Sequence, residues 1–339
     1  MPKTATLSLP LLFAVQALLP APVLAQTTTV EISPGNICFV QQTTAVTQTS
    51  APRIYRWTDD KGQVHFSDRA PSTANAAVVE PQMRAQDDYF DLTIENRGNV
   101  QAPFFQTQLT GLTNGIYRIL SNMLGKERLR QVDLHVLLFP DANSYYRYGQ
   151  EAVGMDLRNT EGFYTPHNNQ AVTYVLADRG QTLEAAKHES THVIAAGILG
   201  SVPFWLNEGL AEYFAELEVQ AQFTQVRVNE DWLWLARTSI EEGYPANLKD
   251  FLALDASGWR TDRQAHHYAL GWALVYFMMG TEQGRSSLGQ LLQIMADNYC
   301  EPLDANAKLD LVWPGGVNVL QQDFYAWLRD PAQKRLHVY

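Results

Sequence analysis

The chain has 339 residues, 46% of them hydrophobic and 18% charged, which is ordinary for globular protein and enough for roughly two domains with a sizeable core. Its formal net charge is −11, and this acidic balance excludes a general nucleic-acid partner, because no basic excess is present to neutralise phosphates. Two cysteines are too few for a fold built on disulfides.

Residues 1–25 read as a secretory signal peptide. Lys3 supplies a positive start, 7–19 is an apolar run, and Val23-Leu24-Ala25 has the small-x-small form that precedes a cleavage site. Pro10, Pro20 and Pro22 and the short apolar run disfavour a retained anchor. No later run has 18 uncharged apolar residues, so the expectation is an exported chain, periplasmic or secreted, with no membrane span after cleavage. Residues 26–52, rich in Thr, Gln and Ser, read as a polar arm in which 32–40 could add a short strand. In an oxidising compartment Cys38 and Cys300 either pair or stay separate. Sequence leaves both open, because it does not supply their Cα separation.

Residues 53–82 read as a small β module. Ile54–Thr58 and 64–68 alternate and carry aromatic or β-branched side chains, and the intervening 59–63 has turn chemistry with Gly62, so a β-hairpin is expected. The string YRWTDDKGQVHFSDRAP resembles the module known as domain of unknown function 4124, which occurs in exported proteins of Gram-negative bacteria. The resemblance implies export, and the module could contact an envelope partner.

Residues 71–88 form a linker rich in Ala, Pro, Gln and Asp, and 83–335 is read as the main domain. Its expected elements, in order, are a strand at 89–95, an amphipathic helix at 108–124 ended by Gly125, and a buried strand at Val132–Phe139 stopped by Pro140. A turn at 162–166 and a strand at 171–176 follow. A helix over about 182–199, ended by Gly200, precedes a second helix that Glu208 opens and that runs to about Val219. Beyond it the pattern is helical at 229–241, 247–254, 263–279, 286–297 and 318–328. Strands thus precede the helix at 182–199 and helices follow, which is an α+β layout: a small mixed sheet packed on that helix, then a C-terminal helical lobe. The cleft between the two is the natural place for a site.

His188-Glu189-Ser190-Thr191-His192 matches H-E-x-x-H. Histidines four apart lie on one face of a helix, about 6 Å apart along its axis. One cation can take both imidazoles, and Glu189 beside them could accept a proton from a water the metal activates. A catalytic zinc commonly has three protein ligands. The metzincin pattern is excluded, because Ala195 and Ile198 stand where its Gly and third His belong. Glu208, sixteen residues after His192 in Trp-Leu-Asn-Glu-Gly-Leu-Ala-Glu-Tyr, is the candidate third ligand. Glu212, one turn on, could be an alternative ligand, orient an imidazole or simply be solvated, with orientation or solvation preferred over ligation, and Asn207 could help orient an imidazole.

HESTH with WLNEGLAEYF resembles the gluzincin metallopeptidases, the clan of thermolysin and the aminopeptidase N group. GFYTPHNNQAVTYVLAD and HHYALGWALVYFM are similar to the exported peptidase-MA-like proteins called domain of unknown function 1570, over about 85–335. The resemblance implies a thermolysin-like domain holding one Zn2+ through His188, His192 and Glu208, with Glu189 as base and a peptide or protein substrate. It also implies that the strand at 171–176 is a sheet edge along which substrate could lie. The exopeptidase string Gly-x-Met-Glu-Asn is absent near 162–176, so endopeptidase action is expected. Tyr268, sixty residues after Glu208, is the candidate oxyanion donor, with His266 and His267 as alternatives and core packing as the bland reading. Trp232, Trp234, Trp272 and Tyr276 read as core, and His65, His135 and His337 as structural or exposed. The competing reading of the whole chain is a catalytically silent, peptidase-like binding or scaffold protein of the envelope.

Overall fold

The computed structural model describes residues 54–58, 64–67, 77–79, 89–98, 103–154, 156–158, 160–165, 168–220, 223–299, 301, 303–330 and 336–339. The signal, the polar arm, its strand at 32–40, His167, Cys38 and Cys300 lie outside the described residues. The hairpin of the small module forms as expected, with β1 (Ile54–Thr58) antiparallel to β2 (Val64–Ser67). A third strand, β3 (Ala77–Val79), pairs with the other edge of β1 from within the stretch read as linker.

A four-stranded mixed sheet, ordered β4-β5-β7-β6, organises the region before the motif. Its strands are β4 (Phe90–Asn96), β5 (Val132–Phe139), β6 (Gly162–Thr165) and β7 (Gln170–Tyr174). The first two and β7 are parallel, and β6 returns antiparallel to β7. The apolar run of β5 fits a central parallel strand covered on both faces. Two expectations are corrected here. Residues 162–165 are a strand rather than a turn, although Gly162 and Pro166 flank them with turn chemistry. The strand at 171–176 is interior, paired on both sides, and β6 is the edge.

Helix α1 (Pro103–Leu124) connects β4 to β5 and starts five residues before its apolar periodicity does. It ends where Gly125 takes φ 84°, the positive angle a glycine C-terminus favours. Helix α2 (Ala142–Val153), absent from the sequence reading, is capped by Asp141, whose side chain accepts from Ser144 N. It covers the opposite face of the sheet, where Tyr145, Phe139, Leu157, Phe163, Leu137 and Val172 make a small second core. The first face carries α1 and α3 (Arg179–Leu199). Asp178 caps α3 by accepting from Gly180 N and Gln181 N. Every residue from Ala185 to Ala195 is buried, so α3 is an internal helix wrapped on all sides.

Helix α4 (Phe204–Ala215) follows. Glu208 therefore sits in its second turn and does not open it, and the chain leaves helix at Ala215 rather than Val219. Beyond it comes a third sheet that the sequence reading lacked, ordered β10-β9-β8 and made of β8 (Leu217–Val219), β9 (Thr224–Arg227) and β10 (Leu336–Val338). The expectation that only helices follow the motif is corrected accordingly. The helical region comprises α5 (Glu230–Glu241), α6 (Leu248–Leu252), α7 (Ala256–Trp259), α8 (Gln264–Gly280), α9 (Glu282–Asp297), α10 (Ala305–Val312) and α11 (Gly316–Arg329). Of these, α7 and α10 were not foreseen. The fold is thus α+β. Among the described residues no helix is long and apolar enough to cross a membrane.

The centre of the main core is α8, buried without a break from His267 to Met279. Helix α4 crosses it at glycine. A Cβ built on Gly209 would stand 2.5 Å from the Gly271 carbonyl oxygen and 2.7 Å from Val275 Cγ2. The Gly of Asn-Glu-Gly is therefore a packing residue that lets the Glu208 helix approach α8. Gly209→Ala is expected to destabilise by about 1–3 kcal/mol through overpacking, read as a lower thermal midpoint.

Candidate metal centre

Helix α3 presents His188, Glu189 and His192, and α4 faces it with Asn207, Glu208 and Glu212. All six are at most 5% exposed. The crossing is pinned by Lys187, whose buried ammonium donates to the Ala215 and Leu217 carbonyls, the latter at 3.0 Å. A cation at the C-terminal carbonyls of α4 satisfies groups the helix leaves open. Burial pulls the Lys187 pKa down to about 8, against the pull of Glu184, Glu216 and Glu218. The sequence offered one signal for this residue, a lysine inside an Ala-rich helix buried on all sides.

The three expected ligands converge. His188 Nε2 and His192 Nε2 are 3.1 Å apart, and Glu208 Oε2 is 3.6 Å from the first and 3.7 Å from the second. An ion with bonds of 2.0–2.1 Å to four tetrahedral ligands separates them by about 3.3 Å. The triangle therefore matches a tetrahedral ion in size, and two imidazoles with one carboxylate suit a transition metal better than Ca2+ or Mg2+. Among the described residues this is the group of His and carboxylate side chains close enough to hold an ion.

Each imidazole has polar or aromatic neighbours beside it. Glu212 Oε1 lies 3.3 Å from His188 Nδ1, which directs the Nε2 lone pair of His188 towards the triangle. Glu212 lies beside His188 and outside the triangle. Asn207 interacts with the His192 side chain, and the Tyr164 ring of β6 stacks on the His192 ring at 4.6 Å between centroids. Glu189 is fully buried, and neither of its carboxylate oxygens has a hydrogen-bond partner. A Cβ at Gly162 would stand 2.6 Å from Glu189 Cγ, so β6 needs glycine there to leave Glu189 its place. Lys187, Gly162, Tyr164 and Trp232 are the residues around the site that sequence reasoning missed as contributors.

Electrostatics separate the two histidines. Burial opposes charge on His188, but Glu208 and Glu212 outweigh it and hold its pKa well above the ordinary imidazole value. Burial takes His192 down to about 4, with Glu208 opposing and the charge of His188 assisting. Burial raises the Glu189 carboxyl to about 8, with His188 opposing and Glu208 and Glu212 assisting. The metal-free site therefore favours a proton on His188. A metal must displace it, so affinity is expected to fall as pH falls and uptake to release protons. Calorimetry in buffers of different ionisation enthalpy reads their number.

Tyr268 is buried in α8, stacked on Trp232 (6.4 Å, 17°) and edge-on to Trp259 (5.7 Å). His266 Nδ1 lies 2.8 Å from Ser239 Oγ. His267 Nδ1 donates to the Trp259 carbonyl at 2.7 Å and its Nε2 accepts from the Tyr244 hydroxyl, which commits both ring nitrogens. His337 is buried against Tyr213 and Tyr276, whereas Trp234 is 63% exposed and is not core.

Fold and site together define an α+β protein with a buried His-His-Glu group able to hold a metal ion. A family model described as Domain of unknown function (DUF4124) matches residues 44–86, and one described as Protein of unknown function (DUF1570) matches residues 183–303. The second match takes in α3 from its fifth residue on, with α4 and α8, and so contains every residue of the triangle. No curated protein matches the chain.

Proposed function

We propose that this chain is an exported zinc-dependent peptidase of gluzincin type, with a thermolysin-like catalytic domain that cuts within peptide or protein chains. The observation that carries the reading is the triangle of His188, His192 and Glu208 with the unpartnered Glu189 carboxylate on the same helix. Zn2+ bound there supplies Lewis acidity, polarising a carbonyl and making water a better acid. His188, His192 and Glu208 would hold the ion. Glu212 and Asn207 keep the rings turned to that task. Glu189 takes the proton from the attacking water and hands it to the leaving amine. Its burial without hydrogen-bond donors makes the carboxylate a strong base once ionised. Tyr268, whose ring packs on Trp232 and Trp259, is the candidate donor to the oxyanion.

The edge strand supports a peptide substrate. Among the described residues β6 pairs only with β7, and an extended chain could continue the sheet along its other side. Export rests on the signal-like residues 1–25 and the small module. The test is cleavage of a peptide library by the purified chain with and without a chelator. Internal cleavage that the chelator stops supports the reading. Bound zinc without cleavage favours the silent binding protein instead.

A further inference from the structure

The indole of Trp232 is 6% exposed, yet its place is not explained by packing alone. Its Nε1–H donates to Glu212 Oε2 at 2.8 Å, while the other oxygen of that carboxylate lies 3.3 Å from His188 Nδ1. We propose that Trp232 is a positioning residue of the metal centre: its indole N–H holds Glu212, and Glu212 holds the His188 ring with Nε2 facing Glu208 and His192. The proposal rests on the metal reading of that triangle.

The start of α5 is built to place this indole. Asn229 caps the helix by accepting from Trp232 N at 3.0 Å, and its amide donates to Glu216 Oε1 at 2.9 Å. Glu212 lies in the last turn of α4 and Glu216 is the residue that caps its end, so the start of α5 is tied to the C-terminal end of α4 at two points. The Trp232 ring plane is fixed by stacking on Tyr268, which meets Trp259 edge-on. The helical region therefore reaches the ligands through one chain: Tyr268 ring, Trp232 N–H, Glu212, His188.

A buried carboxylate with two oxygens and a single donor can rotate. With Oε2 tied to an indole N–H, Oε1 stays aimed at Nδ1. An imidazole whose Nδ1 carries the proton presents its Nε2 lone pair to a metal, and loss of such an outer partner typically weakens metal binding 10–100-fold. Trp232→Phe removes the donor and keeps most of the apolar ring.

The experiment is a chelator-competition titration of Zn2+ on the unaltered chain, W232F, E212Q and W232F/E212Q, with thermal unfolding of each metal-free form. W232F is expected to bind Zn2+ about tenfold more weakly, with the metal-free unfolding midpoint little changed. The double variant is expected to bind no more weakly than E212Q, because the indole acts through that carboxylate. Equal affinity for W232F and the unaltered chain, or a double variant weaker by the product of the two single effects, overturns the proposal. If W232F does not fold, the unaltered chain labelled with 15N at its eight tryptophans still decides it. One indole N–H signal should move both on Zn2+ addition and in E212Q, and the absence of any such signal overturns the proposal. An unaltered chain that binds no Zn2+ overturns the metal reading and this proposal with it, an outcome distinct from the failure of W232F alone.

Discussion

Replacing Glu189 by Gln is expected to lower peptide turnover by about 10²–10⁴-fold, the usual contribution of a positioned general base, while zinc stays bound. Gln keeps the shape that Gly162 makes room for, so the change removes basicity rather than packing. Glu189 is outside the ligand triangle, which separates its loss from loss of metal. The effect belongs in kcat, with KM nearly unchanged, because the group acts in the transition state. The pH profile adds a sign. Without an ion, burial holds the Glu189 carboxyl near 8, so at pH 7 it is mostly protonated and cannot accept a proton. A neighbouring dication favours the ionised form and moves that pKa down. Activity should therefore rise with pH along an acid limb below 8 that is missing in the Gln variant. Undiminished turnover in E189Q would sink the mechanism.

The second large effect is on stability. A ligand at a thousand times its dissociation constant stabilises the folded state by about 4 kcal/mol. In a domain of this size each kcal/mol moves the unfolding midpoint by roughly 2–4 °C. Saturating zinc is therefore expected to raise the midpoint by roughly 8–16 °C, and chelation to remove that increment. His192→Ala and Glu208→Gln should each abolish most of it. His188→Ala is the less clean choice, because it leaves Glu208 and Glu212 buried beside each other with no cation between them. Differential scanning calorimetry with and without chelator reads the increment, and its full persistence in E208Q would contradict the ligand assignment.

What could be read from sequence was local. The strand at Val132–Phe139 was legible to the residue, because 132, 134 and 136–139 are apolar and Pro140 stops the run. The candidate ligands were legible because helical spacing fixes His188 and His192 on one face, and a second helix brings Glu208 to them. What escaped depends on partners far along the chain. Gly162 reads as a turn residue, but its reason is Glu189 on another element. The pairing of β9 with β10 joins residues more than a hundred positions apart in strands of three and four residues, too short for a clear alternation. Helix α2 buries only Tyr145 and Gly149, so its apolar stripe is nearly invisible in the sequence. Trp232 was read as core, and it is buried, but its hydrogen bond to Glu212 crosses twenty residues and no local pattern announces it.

The most direct test of the central claim is an anomalous-diffraction map at the zinc absorption edge, from crystals of the chain as purified. The account predicts one strong peak bonded at about 2.0–2.2 Å to His188 Nε2, His192 Nε2 and Glu208 Oε2. A folded protein with no peak between those three side chains, even after soaking with zinc, would contradict it.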